Sequence, residues 1–340
     1  MAARRLHGWA ARLLVWCLLP AALAAQDEKV GLVDYYGYGN LTRAQLDAAF
    51  GLKAGDPMPA GKGAIETRLR KLPGVSQVYV HKVCCDNKGN PMLFGGLQRA
   101  GAPTVSFLAR PKGSIRAADS LRLAYNTFIE QLIEGIKAGQ SADDVSEGHS
   151  LLAFPPAREA QLAMRRYVVA HEAEVKRVLK ESREDEDRAM AAQALGYAAD
   201  KKTVIPDLVA AAFDSYGETR NNAVRALYAI GILAQKHPEL ELQVPIERVI
   251  PLLYSIEWTD RNKTSLALYS LSESRDPALL AALKAKALEP LLEMARWQSE
   301  GHAFPGYFIV ARIAGVSDEE AFRAFQAGER EQILARVSPH

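Results

Sequence analysis

The sequence predicts a small α+β unit in the order strand, helix, helix, strand, strand, followed by an all-α array of stacked helical pairs. Three observations point there. Before residue 110, short apolar runs alternate with glycine- and proline-rich turns, the pattern of strands and short helices. After residue 187, an arginine with Ala-Leu six and seven residues beyond it recurs three times. The helices carrying that recurrence have thin apolar faces: "RNNAVRALYAIG" sets Ala and Gly on the same side as Val, Leu and Ile.

The first 25 residues read as a secretory signal peptide. Arg4, Arg5 and Arg12 precede the apolar run Leu13 to Leu19, and small residues around "ALAAQ" predict cleavage after Ala24 or Ala25. The run is too short for a membrane span, and Val15 and Trp16 before Cys17 are too bulky for a lipidation signal. Removing three arginines and no acid moves the formal charge from +2 to −1. The remaining chain lacks the basic excess that nucleic-acid binding demands, so nucleic acid is excluded as an expected partner. With 49% apolar residues in 340, a core is well supplied, and the expected location is exported, periplasmic or extracellular.

Residues 28–110 predict the α+β unit. "VGLVDYYGYG" is a strand closing on glycines, and Thr42 caps a helix whose Ala44, Leu46, Ala49 and Phe50 share a face and which stops at Gly51. "KAGDPMP" is a loop. A second helix turns Ile65, Leu69 and Leu72 inward before a Pro-Gly stop; "VSQVYVHKV" and "MLFGGLQ" are strands joined by "CDNKGNP". The block "GLKAGDPMPAGKGAIETRLRKLPGVSQVYV" resembles a polypeptide-transport-associated (POTRA) domain, through its short first helix, its "l..Gd" loop and a second helix ending "L..lpgV..v.V". The resemblance covers about 70 residues. It implies an extracytoplasmic, bacterial setting and docking of polypeptides along a sheet edge.

Residues 111–156 predict a connector. Its helix carries Leu121, Ala124, Phe128, Leu132 and Ile136 on one face, and a polar loop after Gly139 ends in a Pro-Pro stop.

Residues 157–338 predict the array. Arg188, Arg220 and Arg261 align, followed by Ala194-Leu195, Ala226-Leu227 and Ala267-Leu268, with spacings of 32 and 41 residues between the arginines. The segments "VIPDLVAAAF", "VIPLLYSI" and "LEPLLEMA" place Pro206, Pro251 and Pro290 where a proline is expected to open a helix. "VIPDLVAAAFDSYGETRNNAVRALYAIG" resembles a HEAT repeat, with Pro206, Asp214, Arg220, Ala223, Ala226, Leu227 and Gly231 at consensus places. The resemblance implies an α-solenoid and no particular chemistry. Stacked pairs need Ala and Gly where helices cross closely, which accounts for the thin faces. The recurrent arginines predict a ladder of ion pairs and carbonyl contacts with Asp187, Asp214 and Asp260 at hand.

Candidate chemistry is sparse, and neither a catalytic residue, a cofactor nor a metal is expected. "HEAEV" at His171 lacks the second histidine of a zinc helix, since Val175 stands there. "GHSLL" lacks the closing glycine of a nucleophile elbow. His149 with Ser150 and Cys84 with Cys85 carry the alternative of an envelope hydrolase or thiol-redox protein; an accessory role in envelope assembly is a further one. "KESREDEDR" reads as a solvated charge run, and Asn40 and Asn262 begin glycosylation sequons usable only in a eukaryotic host. The leading expectation is an exported, non-enzymatic scaffold for a protein or peptide. Its concave surface is expected around Asp207 to Phe213, Arg248 to Ile256 and Pro290 to Trp297, with Tyr254, Trp258, Trp297, Arg220, Asn221 and Arg225 as contact residues.

Overall fold

A computed structural model describes residues 28–337; the leader expected at residues 1–25 lies outside the described residues. The amino-terminal unit is built from β1 (Val33–Tyr36), α1 (Arg43–Phe50), α2 (Gly63–Leu69), β2 (Val75–Val83) and β3 (Met92–Arg99). The sheet order is β1-β3-β2, with β1 parallel to β3 and β2 antiparallel to it. Thr42 and Gln45 form a reciprocal capping box at the start of α1, and the helix closes at Gly51. In β2, the three-residue step from Val75 to Val78 breaks strict alternation. A register shift between Val75 and Gln77 absorbs it, after which Val78 and Val80 point inward.

The sheet is covered on both faces. Val33, Tyr35, Leu93 and Leu97 pack on Leu46, Phe50, Ile65 and Leu69 of α1 and α2. Tyr36, Met92 and Phe94, on the opposite face, join the core of the helical region. The near-continuous apolar runs "VDYY" and "MLFGGL" therefore have the character of strands buried on two sides. Ile65 and Leu69 are buried as expected, while Leu72 is only half-buried.

The helical region contains α3 (Asp119–Lys137), a two-rung hairpin of β4 (Asp143–Asp144) and β5 (Leu151–Leu152), α4 (Pro155–Glu181), α5 (Asp185–Leu195), α6 (Lys201–Ala211) and α7 (Gly217–Lys236). A 3-10 segment, Ile246–Tyr254, leads to α8 (Trp258–Leu271), α9 (Pro277–Ala295), α10 (Glu300–Ile313), α11 (Asp318–Gln326) and α12 (Arg330–Leu334). Helix α5 packs on α7, α7 on α8 and α8 on α10. Beside them, α6 lies on α7, the 3-10 segment on α8, and α9 on α10. Ala194, Leu195, Leu227, Ala267 and Leu268 are fully buried in this stack, and Ala226 nearly so. At the α7–α8 crossing a Cβ on Gly231 would come within 2.8 Å of Leu271, so the glycine sets how closely the two helices approach. Among the described residues no helix is long and apolar enough to cross a membrane.

Several local expectations are corrected. Pro155 and Pro156 open α4 rather than stop the preceding chain, because a first-turn proline forfeits no helical hydrogen bond. Pro206 and Pro290 lie inside α6 and α9, which begin earlier at Asp200 and Asp276; each aspartate caps the helix by accepting from the backbone N–H two residues on. Pro251 lies inside a 3-10 segment preceded by Pro245, two positions without a backbone donor. In α3 the apolar face turns away at its end: Ile136 is 57% exposed and Gly135 is buried against Phe154.

Candidate functional site

The recurrent arginines form the predicted ladder, and its course leads to the candidate site. Arg188 reaches from α5 to Asp214, donating from Nε and Nη2 at 2.8 Å to each oxygen, and also donates to the Ser182 carbonyl. Arg220, one repeat on, makes the same fork to Asp260 at 2.9 to 3.1 Å and donates to the Asp214 carbonyl. Asp187 faces the other way and accepts from Arg116 and Arg122 of the connector, both at 2.7 Å. Arg188, Arg220, Asp187, Asp214 and Asp260 are buried, so each of these charges is matched by a fixed partner.

The third rung differs. Arg261 donates to the Ser255 carbonyl at 2.7 Å, lies 4.6 Å from the centre of the Tyr36 ring, and stands 3.6 Å from Glu293. Glu293, on α9, is spanned by the turn after β1: the backbone N–H groups of Gly37 and Gly39 donate to its two oxygens at 2.6 and 3.0 Å. Burial pushes the Glu293 carboxyl up and the Arg261 guanidinium down, and each partner pulls the other back toward its charged form. Gly37 has φ +71°, and a Cβ there would overlap the Leu97 carbonyl oxygen at 2.0 Å, so only glycine brings this N–H to the carboxylate.

Further contacts fasten the unit beside this clamp. Trp297 Nε1 donates to the Tyr35 carbonyl at 2.8 Å, Gln298 Nε2 to the Val33 carbonyl at 2.8 Å, and Tyr36 Oη to the Ile256 carbonyl at 2.8 Å. The buried Asp34 carboxylate accepts from the backbone N–H of Gln298 at 2.7 Å, next to Ser299, the N-cap of α10. Burial raises its pKa against the pull of those N–H groups and of Arg43. Phe94 meets Trp297 and Trp258 with ring centres 5.1 and 5.5 Å apart. His81 Nε2 lies 3.2 Å from the Ile256 carbonyl oxygen, and burial lowers its pKa to about 4.

The linker after β3 completes the attachment. Leu108 N–H donates to the Phe213 carbonyl at 2.7 Å, Phe107 stacks under Arg220 with 3.9 Å from guanidinium to ring centre, and Gly113 bridges Ser182 in parallel. Phe213, Ile256 and Trp297, ends of the three segments expected to receive a partner, thus receive the chain's own sheet and linker.

The expected contact residues are redistributed accordingly. Trp297 is 1% exposed and Trp258 9%; both are corrected from surface anchors to interior residues of this junction. Arg220 is likewise consumed by Asp260 and Phe107. Asn221 is half-buried and donates to Glu218 within α7, while Arg225 binds Asp143 and Ser150 of the β4–β5 loop. Tyr254, also half-buried, lines a groove of about 570 Å³ with Tyr38 and Asn40 from the turn after β1, Lys284 and Leu288 from α9, and Arg296 at the C-cap of that helix. Burial raises both tyrosine hydroxyls, Tyr38 to about 12. A comparable cleft of about 590 Å³ beside α1 is less apt, since its Arg43 and Asp47 already pair at 3.0 Å. No sequence signal marked Glu293, Asp34 or Gln298, whose roles depend on which turn meets which helix.

The edge strands also differ from expectation. The outer edge of β1 is covered by Trp297 and Gln298, so pairing there is precluded; β2 keeps its outer edge, although Val80 N–H is held by Glu66 at 2.9 Å.

The residues of the alternative chemistry are also in place. Ser150 Oγ donates to Asp143 at 2.7 Å and accepts from Arg225 and Gln161; the adjacent His149 places Nδ1 3.0 Å from the Glu147 carbonyl oxygen instead of on the serine. Cys84 and Cys85 are joined by a disulfide in the turn after β2. His171 sits at a kink in α4 and stacks near Tyr167, and Glu172 accepts from Lys176 and Thr203. Among the described residues, no cluster of three or more His, Cys, Asp or Glu side chains is arranged to hold a metal. No protein-family model matches the chain, and no curated protein sequence is significantly similar to it.

Proposed function

We propose that this protein is an exported, non-enzymatic scaffold that docks an extended segment of another polypeptide in the groove between its sheet unit and α9. The carrying observation is that Tyr38 and Tyr254 line one groove together with α9, and the Glu293 clamp ties the turn that bears Tyr38 to that helix. A groove with prearranged walls loses little entropy on binding, and tyrosines supply large contact area with few rotors. Leu288 offers an apolar floor; the lining carries both signs of charge, Lys284 and Arg296 beside Glu289 and Glu293, with Arg296 already paired to Glu331, so the tyrosines and the apolar floor carry the recognition. The HEAT-like and POTRA-like stretches support the reading, since both architectures commonly hold other proteins, and the leader-like amino terminus supports export.

The test is site-specific photocrosslinking in cells of the source. A photoreactive residue replacing Tyr254 is expected to capture a discrete polypeptide identifiable by mass spectrometry, whereas one replacing Val169, 53% exposed on α4, captures none. Absence of any adduct at residue 254, or equal adducts at both positions, contradicts the proposal.

A further inference from the structure

A second cavity, distinct from the junction groove, is formed where the loop before β5 meets α4, the start of α6 and the end of α7. Its volume is about 410 Å³, and it is lined by His149, Arg165, Lys201, Leu233, Leu240 and Leu242, among others. Lys201 is unusual for a lysine: it is only 7% exposed, and its ammonium donates to the Gly196 carbonyl at 2.7 Å. Among the described residues, neither Lys201 nor Arg165 has a carboxylate within the 4.0 Å of an ion pair, in a protein whose other buried cations have dedicated acids. Asp200 also lines the cavity, where one of its oxygens caps α6 by accepting from Lys202 N–H at 2.9 Å, but it forms no ion pair with either cation.

His149 adds an independent sign. It is 4% exposed, its Nδ1 faces the Glu147 carbonyl, and its Nε2 has no hydrogen-bond partner; the nearest carboxylate oxygen, on Glu147, is 3.9 Å away. A buried polar atom left without a partner costs stability, and a ligand that supplies the missing contact recovers it. Burial and Arg165 lower the pKa of Lys201 to about 8, and burial and Lys201 lower that of His149. Burial is the larger cause of both shifts, the neighbouring cations add to it, and Glu147 opposes it. Glu147 stands at the rim, 72% exposed on its side chain, where water screens it.

We propose that this cavity is a binding site for a small monocarboxylate with a short apolar body. Its carboxylate lies between Lys201 and Arg165 within reach of His149, and its chain lies along Leu233, Leu240 and Leu242. Anion and apolar wall together define the class: a bare inorganic anion uses the cations alone, and a neutral alcohol uses the leucines alone.

Isothermal titration calorimetry of the full mature chain with hexanoate, 1-hexanol and inorganic phosphate tests this. Hexanoate is expected to bind saturably below about 1 mM, with hexanol and phosphate each at least about tenfold weaker. Arg165→Gln, at an exposed position that folding tolerates, and Lys201→Met, which keeps the buried stem, are each expected to weaken hexanoate about tenfold. Saturable binding that Arg165→Gln leaves unchanged overturns the assignment, as does phosphate binding as tightly as hexanoate, or the absence of hexanoate binding up to about 10 mM.

Discussion

The second and third arginine rungs occupy equivalent places in successive helical units, yet they do different work. Arg220 finds its acid, Asp260, at the head of the next helix, and the pair closes the array on itself. Arg261 finds Glu293, and that carboxylate is shared with the Gly37 and Gly39 backbone of a unit more than 250 residues earlier in the chain. The difference teaches that a repeating ion-pair ladder becomes a docking device when the spare acceptor capacity of one rung is turned toward another unit. Among the described residues Asp260, besides its bidentate arginine, accepts only from Ser255 Oγ of its own segment at 2.6 Å, whereas Glu293, 3.6 Å from a single guanidinium nitrogen, accepts from two backbone donors of the sheet unit.

Breaking the closed rung is expected to have the largest effect. Asp260→Ala strands the buried Arg220 guanidinium and should cost roughly 3–5 kcal/mol, measured by chemical denaturation, whereas replacing Arg220 and Asp260 together by apolar residues should cost far less. Equal losses in the single and double variants would show that the pair contributes packing rather than charge balance. Glu293→Gln is expected to cost less, roughly 2–3 kcal/mol, because Ser255 and Tyr36 still hold Arg261 and the amide oxygen still accepts one N–H. Its signature is local. Protease cleavage in the linker 100–116 should accelerate in this variant and not in Asp260→Ala at matched stability.

The smallest effect concerns pH. His81 titrates near 4 in the folded protein against an ordinary 6.5, so between those values the unfolded chain binds a proton that the folded chain refuses. Stability is therefore full above about pH 6.5 and falls as the pH drops toward 4, by roughly 1–3 kcal/mol for this group. Glu257, 3.8 Å away with its carboxyl raised by burial, works in the opposite sense over the acid range, so the comparison must be with a His81→Gln variant. That variant should lose less stability than the parent between pH 7 and pH 4.5 in thermal melts; an identical loss contradicts the assignment.

Much of the fold was legible because it rests on local chemistry. The Thr42 cap, the Gly51 stop, the turn "CDNKGNP" and the spacing of Arg188, Arg220 and Arg261 each depend on neighbours in sequence, and each appears where expected. Asp214 and Asp260 were legible as acids near the arginines, but not which arginine each would take, since the pairs form across 26 and 40 residues, nor that Asp187 would face Arg116 and Arg122. The junction was not. Trp258 and Trp297 read as exposed aromatics because their burial is supplied by Phe94 and Tyr36, from a sheet face whose second covering no periodicity announces. Phe107 lies in an extended linker, where stacking on Arg220 leaves no pattern in sequence. Prolines misled because the helices start at aspartate caps upstream of them, a choice between two valid start signals.

The central claim is that the sheet unit and the helical array form one frame fastened at the Glu293 clamp. From Gln26 onward the chain contains only Trp258 and Trp297, both at that junction, so intrinsic fluorescence reports on it directly. Urea unfolding of this chain, followed in parallel by tryptophan emission and by far-ultraviolet circular dichroism, is predicted to give coincident transitions. A red shift in emission that is complete while the helical signal remains native would contradict the account, since it would mean that the sheet unit leaves the array without unfolding it.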